Sequence, residues 1–229
     1  MKRSRSHFVL VFVAVGWLSL PTQATQPVAR PCVGKSGVAL RVPPFDEGDR
    51  NPAFDEFRSR LRQTVARKDA EALMAIVHPQ IKAGFDGSDG RDAFRERYLN
   101  NSDEDFWKDF GDVLAMGGRF STPEEFTAPY TFTDFPNDLD AFECVVILGR
   151  DVRLRSEPDT NATVLGRLDH HVVQAFPEDA SSTGWRRVAT ADRRVGYVAA
   201  RYLRSPIDYR AFFRFEGGRW WLVTYLAGD

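Results

Sequence analysis

Between Val145 and Leu203 the chain alternates short runs rich in β-branched and aromatic residues with clusters of Gly, Pro, Asp, Asn and Ser. Turn signals this close together leave no room for a helix of ordinary length. The stretch has to fold as short strands, and short, evenly spaced strands bury themselves by curling into a small closed all-β barrel. Val152 and Leu154 alternate with Arg153 and Arg155, which predicts one apolar and one wet face. Pro158 and Gly166 punctuate strand ends, and Gly196 suits a corner where two backbones approach closely. Trp185 and Tyr197 each carry a large apolar body with one polar tip, fitting either a barrel core or a binding groove.

The order of these blocks is informative in its own right. Asp151-Val152-Arg153-Leu154-Arg155-Ser156-Glu157-Pro158 opens the stretch; Val164-Leu165-Gly166-Arg167-Leu168 and Val172-Val173 follow. Gly184-Trp185-Arg186-Arg187-Val188, Gly196-Tyr197-Val198 and Tyr202-Leu203 complete it. In order and spacing this resembles the bacterial SH3 domains. Three positions depart from the family's pattern: Asp151 stands for the usual Asn, Tyr197 for a common Trp, and Asp169-His170-His171 fills a turn that usually bears glycine. The resemblance implies a non-catalytic binding unit that contacts cell-wall peptides or envelope proteins. Arg153, Arg155, Trp185, Tyr197 and Tyr202 are the candidate ligand-binding residues. Each has a plainer reading: the arginines as solvated strand-face residues, the tyrosines as core or rim packing, and His170-His171 as an exposed turn.

The start of the chain points to export. Lys2, Arg3 and Arg5 precede an apolar run from Phe8 to Leu20, which ends at Pro21 and the small-residue site Thr22-Gln23-Ala24. That is how a secretory signal over residues 1–24 reads. The run is too short for the roughly 20 residues of a bilayer-spanning helix, and no second apolar run follows, so no membrane span is expected after cleavage. In an oxidising compartment Cys32 and Cys144 are most simply a disulfide. A lipid attachment at Cys32 fits poorly beside Ala29-Arg30-Pro31, and the scattered histidines offer no zinc-ligand spacing. No metal or cofactor is expected.

Residues 25–48 read as an extended, proline-rich arm. Asn51-Pro52 then marks a helix start, with Phe54, Phe57, Leu61 and Val65 on one stripe. A second helix is predicted from Asp69 to a stop at Pro79, then a strand from Ile81 to Phe85 and a turn over Asp86–Gly90. A third helix is predicted over Arg91–Leu99 and a fourth over Asp103–Met116. The segment from Ala66 through His78-Pro79 to Phe94 also resembles the opening of nuclear transport factor 2-like cones. That resemblance implies a pocket, with His78, Asp86 and Asp89 as candidate polar groups. Their plainer readings are a helix-end residue and two turn formers.

Around Gly217-Gly218 the chain carries a strong hairpin signal, with Glu216 facing Arg219 and with Phe213, Phe215, Trp220 and Leu222 on one face. So apolar a face needs cover, and the front helices are short of strands. The hairpin is therefore expected to return to them. Residues 41–140 hold 13 Lys and Arg against 21 Asp and Glu, while residues 145–205 hold 10 against 7. Neither region is basic enough for nucleic acid. A papain-like peptidase would need a cysteine nucleophile beside a histidine base, and Cys144 is already spoken for.

The fold class expected is α+β. An α+β lobe over 49–140, completed by the hairpin in 207–229, accompanies a small SH3-like barrel over 145–205. The function expected is that of a periplasmic or secreted, non-enzymatic binding protein for a peptidoglycan peptide or an envelope protein. The alternative is a small-molecule-binding or enzymatic cone in the front half, with the barrel as accessory.

Overall fold

Asn51 starts the first helix through its side chain. Its Oδ1 accepts the N–H groups of Ala53 and Phe54 at 3.1 Å each, and Pro52 occupies the first helical position. Helix α1 (Pro52–Ala66) buries Phe54, Phe57, Leu61 and Val65 on one stripe. It also buries Arg58, whose Nη1 lies 2.7 Å from both carboxylate oxygens of Asp46, so the charge taken out of water is paired. The computed structural model describes residues 32–100, 106–177 and 184–228. The segment expected to be an export signal and the first part of the arm lie outside the described residues.

Asp69 caps helix α2 (Ala70–Met74), which is much shorter than its sequence suggests. Pro79 does not stop a helix. It lies within strand β1 (Val77–Lys82), at the edge of a sheet, where a missing N–H is tolerated. His78 is accordingly a strand residue, and Phe85, expected inside a strand, is exposed beyond its end. Helix α3 (Arg91–Arg95) continues as one π-helical turn, Glu96–Asn100, and α4 spans Phe106–Ala115. The start expected for α4 at Asp103 lies outside the described residues. Strands β2 (Arg119–Thr122) and β3 (Glu125–Ala128) were not foreseen; a short helix, α5 (Tyr130–Thr133), follows them.

The next strands are β4 (Cys144–Ile147), β5 (Val152–Arg155), β6 (Val164–Leu168) and β7 (Val172–Ala175). After them come β8 (Trp185–Ala189), β9 (Val195–Ala199) and β10 (Leu203–Arg204). The terminal hairpin is β11 (Arg210–Glu216) and β12 (Arg219–Leu226).

These strands make two sheets, and the fold is mixed α+β. The first sheet runs β1-β12-β11-β3-β2, with β1 and β12 parallel. Its two central strands come from the far end of the chain. Glu216 pairs with Arg219 around Gly217 and Gly218, whose φ values of 60° and 82° are what a tight hairpin turn of this hand requires. The hairpin covers α1: the Phe54 ring lies 5.7 Å from Phe213 and 4.8 Å from Trp220, centroid to centroid. Phe215, placed on the same face by alternation, projects past the core and is 39% exposed. Phe94, Phe110, Phe126 and Tyr225 join Phe54 and Phe213 in filling the space between helices and sheet, each under 2% exposed.

The second sheet runs β10-β4-β7-β8-β9-β5-β6, antiparallel throughout. Its core gathers Ile147, Val152, Leu154, Leu168, Val173, Val188 and Val198, drawn from six strands into one cluster. A sheet can do that only by curling. The end strands β10 and β6 are not paired with each other, so the ladder stays open where the turn spacing suggested closure.

Cys32 and Cys144 form a disulfide, with Cα atoms 5.9 Å apart and a sequence separation of 112. It pins the arm against the second sheet. There Val42 N–H donates to His170 O at 2.8 Å and Val172 N–H to Leu40 O at 2.9 Å. Val42 and both cysteines then share an apolar cluster with Tyr130, Val146 and Val172. No helix among the described residues is long and apolar enough to cross a membrane.

Candidate functional site

Strand β5 turns Val152 and Leu154 into the core, which sends Arg153 and Arg155 to the outer face. The two arginines do not share an environment there. Arg153 is exposed, whereas Arg155 is only 8% exposed, contrary to the wet face that alternation predicts. The connection from Ser156 to Thr163 folds back over it. The Arg155 guanidinium supports that connection from below, its Nη1 donating to Ala162 O at 2.7 Å. Ser156 N–H to Thr163 O at 2.9 Å closes the base of this loop, and Asp159 Oδ1 accepts Asn161 N–H at 2.6 Å within it.

Gly196 explains how the neighbouring strand comes close enough. A Cβ there would sit 2.6 Å from Arg155 O, so only glycine lets β9 approach β5 at this point. Trp185, at the start of β8, pairs with Ala199 at the end of β9. The 3-10 turn Ala200–Tyr202 then brings Arg201 and Tyr202 round.

The result is a cleft of about 420 Å³ on the outer face of the second sheet, lined by Arg150, Arg153, Arg155, Arg201, Trp185 and Tyr202, with Asp151 and Thr160. Of the residues singled out from sequence, Arg153, Arg155, Trp185 and Tyr202 come together here. Tyr197 does not line it: opposite Arg155 on β9, it stands two residues along the strand from Ala199, which does. Two such residues span roughly 7 Å. Arg150 and Arg201 were missed. Each lies just outside a strand, where periodicity carries no signal.

The charge of the cleft is one-sided. Asp151 is its sole carboxylate among the lining residues, and both its oxygens are taken by Arg167 Nη1. Asp151 N–H donates to Asp169 Oδ1 at 2.7 Å, and this bond from the backbone holds the Asp169 carboxyl below its usual range. Arg150, Arg153 and Arg201 form no ion pair with a carboxylate among the described residues. The Arg201 guanidinium lies 4.8 Å from the Tyr202 ring centroid. The described lining residues supply cations, flat rings and two hydroxyls, with no cysteine or histidine among them.

Asp151 and the turn Asp169-His170-His171 lie beside it. Asp151 has φ 57° and His170 has φ 52°, so the backbone takes the left-handed conformation without glycine. His170 is 8% exposed instead of lying on an exposed turn. Its N–H donates to Gly149 O at 2.9 Å and its Nδ1 accepts Gly149 N–H at 3.3 Å. Burial pushes its pKa down, helped by Arg150 and Arg41 and opposed by Asp169; burial and Arg41 lower His171 as well. The unfolded chain therefore binds more protons, so stability is full above about pH 6.5 and falls as the pH drops below it. His170→Asn is expected to shrink the fall in melting temperature between about pH 7.5 and pH 5.5. An unchanged slope would show that His170 does not couple to folding.

The front lobe offers less. His78 Nδ1 accepts Gln80 N–H at 3.1 Å, its Nε2 lies 3.8 Å from Glu216, and its ring meets Trp221 edge-on. Asp86 is paired with Arg97, and Asp89 accepts Ala83 N–H at 3.2 Å. All three serve turns or surface pairs. A groove of about 510 Å³ does run between α1, α2 and the hairpin tip, walled by Phe57, Leu61, Ile76, Phe215 and Trp220, with Glu56 and Arg60 paired at its rim. Among the described residues no group of three or more His, Cys, Asp or Glu is placed to hold a metal ion. The chain matches no protein-family model and no curated protein.

Proposed function

We propose that this is an exported binding protein of the cell envelope, periplasmic or secreted, which holds a peptidoglycan stem peptide in the cleft on its second sheet and catalyses no reaction there. The observation that carries the reading is the convergence of Arg153, Arg155, Trp185 and Tyr202, from three separate segments, on one cationic and aromatic cavity. Such a lining can grip an anionic, partly apolar chain, and its described residues set no free base beside the Thr160 and Tyr202 hydroxyls, the one carboxylate being held by Arg167. The curled second sheet is read as a bacterial SH3-type unit over 145–205, borne by a discontinuous lobe of 49–140 plus 207–229. The split of the first sheet between β1–β3 and β11–β12 supports that division. The disulfide suits an oxidising compartment.

A second reading, small-molecule binding by the front lobe, draws on the groove beside α1. Against a cone-type interior pocket stands the aromatic packing that fills the space between helices and sheet.

Sedimentation with purified peptidoglycan tests the first reading. The processed chain is expected to pellet with the sacculi, and the Arg153→Glu, Trp185→Ala double variant to stay largely in the supernatant. Equal pelleting of the two would remove the cleft from the account. A wild-type chain that stays in solution while an envelope protein co-purifies with it would replace the wall by that protein.

A further inference from the structure

Resting on that reading, we propose that the group the cleft recognises is a free carboxylate of the peptide, taken by Arg153 and Arg201 with Arg150 behind them, while the adjoining hydrocarbon lies on Trp185 and Tyr202. Four guanidinium groups line a cavity of about 420 Å³, and among the described lining residues one carboxylate, that of Asp151, stands against them. The lone acid, Asp151, is held by Arg167, and Arg155 is committed to Ala162 O. That leaves Arg150, Arg153 and Arg201 without a carboxylate partner among the described residues, in a chain that has more Asp and Glu than Lys and Arg. Among the described lining residues Asp151 is the one acid, and it is already paired. Like charges gathered in a concave, partly apolar site raise the local potential and draw in an anion.

A carboxylate fits better than a bare point charge. The guanidinium fork offers paired N–H donors in the plane that two carboxylate oxygens require. Trp185 and Tyr202 form part of the wall, so the anion meets its partners with part of its water removed, where a charge-assisted bond gains strength. Arg155 has another part. Buried under the loop Ser156–Thr163, it keeps the roof at a fixed height and acts as a positioning residue.

The test uses the processed chain, a soluble muropeptide with free carboxylates, and the same muropeptide with those carboxylates converted to amides, titrated by calorimetry. The acid is expected to bind about ten- to a hundredfold more tightly than the amide. Arg153→Gln and Arg201→Gln are expected to bring the acid down to the amide's affinity and to leave the amide unchanged. Both side chains are exposed, so the folded state should survive. If acid and amide bind equally well, carboxylate recognition is overturned while the cleft remains a peptide site. If neither binds, the functional reading falls with it. Displacement of the acid by inorganic phosphate but not by acetate would reassign the cleft to a phosphate ligand and overturn the proposal.

Discussion

Phe54→Ala is expected to cost about 3–5 kcal/mol of unfolding free energy, the range for removing a fully buried aromatic ring. Phe54 is 0% exposed, and five other rings pack on it: Phe57, Phe120, Phe126, Phe213 and Trp220, with centroids 4.4 to 5.9 Å away. Apart from Phe57, those rings ride on β2, β3, β11 and β12, so one side chain joins α1 to strands from the middle and the far end of the chain. Each wall of the cavity left by alanine is fixed by its own ladder, which limits collapse, and a hole that cannot close carries the full penalty. Phe54→Leu, which keeps most of the volume, should cost less than half as much. Denaturant unfolding measures both. A loss under about 1 kcal/mol for the alanine variant would mean that the hairpin is held to the sheet without help from the helix.

Removing the disulfide should come next in size. By the loop-entropy relation a closed loop of about 100 residues contributes up to about 4.7 kcal/mol, and losses of about 2–5 kcal/mol are typical of native disulfides. The Cys32–Cys144 bond closes a loop of this order, with a separation of 112. Its removal also has a local consequence. The arm holds to the second sheet through the two hydrogen bonds at Val42 and Val172 and a small apolar cluster, few contacts for a segment whose own pairing is a short bridge between Val33 and Ala39. Cys32→Ala with Cys144→Ala is expected to lower the melting temperature by about 5–15 °C. The Val42 and Val172 amides should lose hydrogen-exchange protection before the core strands do. A melting temperature unaffected by reductant would contradict this.

Much of the fold is written in local signals. The Asn51-Pro52 cap and the stripe from Phe54 to Val65 define α1 within one stretch of chain. Gly217-Gly218 sets the hairpin register down to Glu216 opposite Arg219. The strands from β4 to β10 follow their punctuation closely, because each is bounded by its own turn residues. What escaped notice depends on distant partners. Strands β2 and β3 are four residues each, and β3 is strand-like because β11 arrives beside it from more than eighty residues away. Likewise α2 ends early because β12 offers β1 a parallel partner, so Val77-His78-Pro79 becomes the start of an edge strand.

The cleft was half legible for the same reason. Alternation placed Arg153 and Arg155 on one face, and aromatic character picked out Trp185 and Tyr202. The loop that buries Arg155 is invisible to a period-two pattern. So is the 3-10 turn that swings Arg201 across from β9. Tyr197 shares the face of Ala199, two residues along the strand, and is not among the residues that line the cavity.

Two tryptophans distinguish the proposed cleft from the groove on the front lobe without mutation. Trp185 lines the cleft, whereas Trp220 lines the groove beside α1. In a titration of the processed, isotope-labelled chain with a soluble muropeptide, followed by NMR, the Trp185 indole N–H signal is expected to shift together with the Arg153 and Arg201 side-chain signals. The Trp220 indole should stay in place. Movement of Trp220 with Trp185 unmoved would put the ligand on the front lobe and contradict the assignment of the cleft.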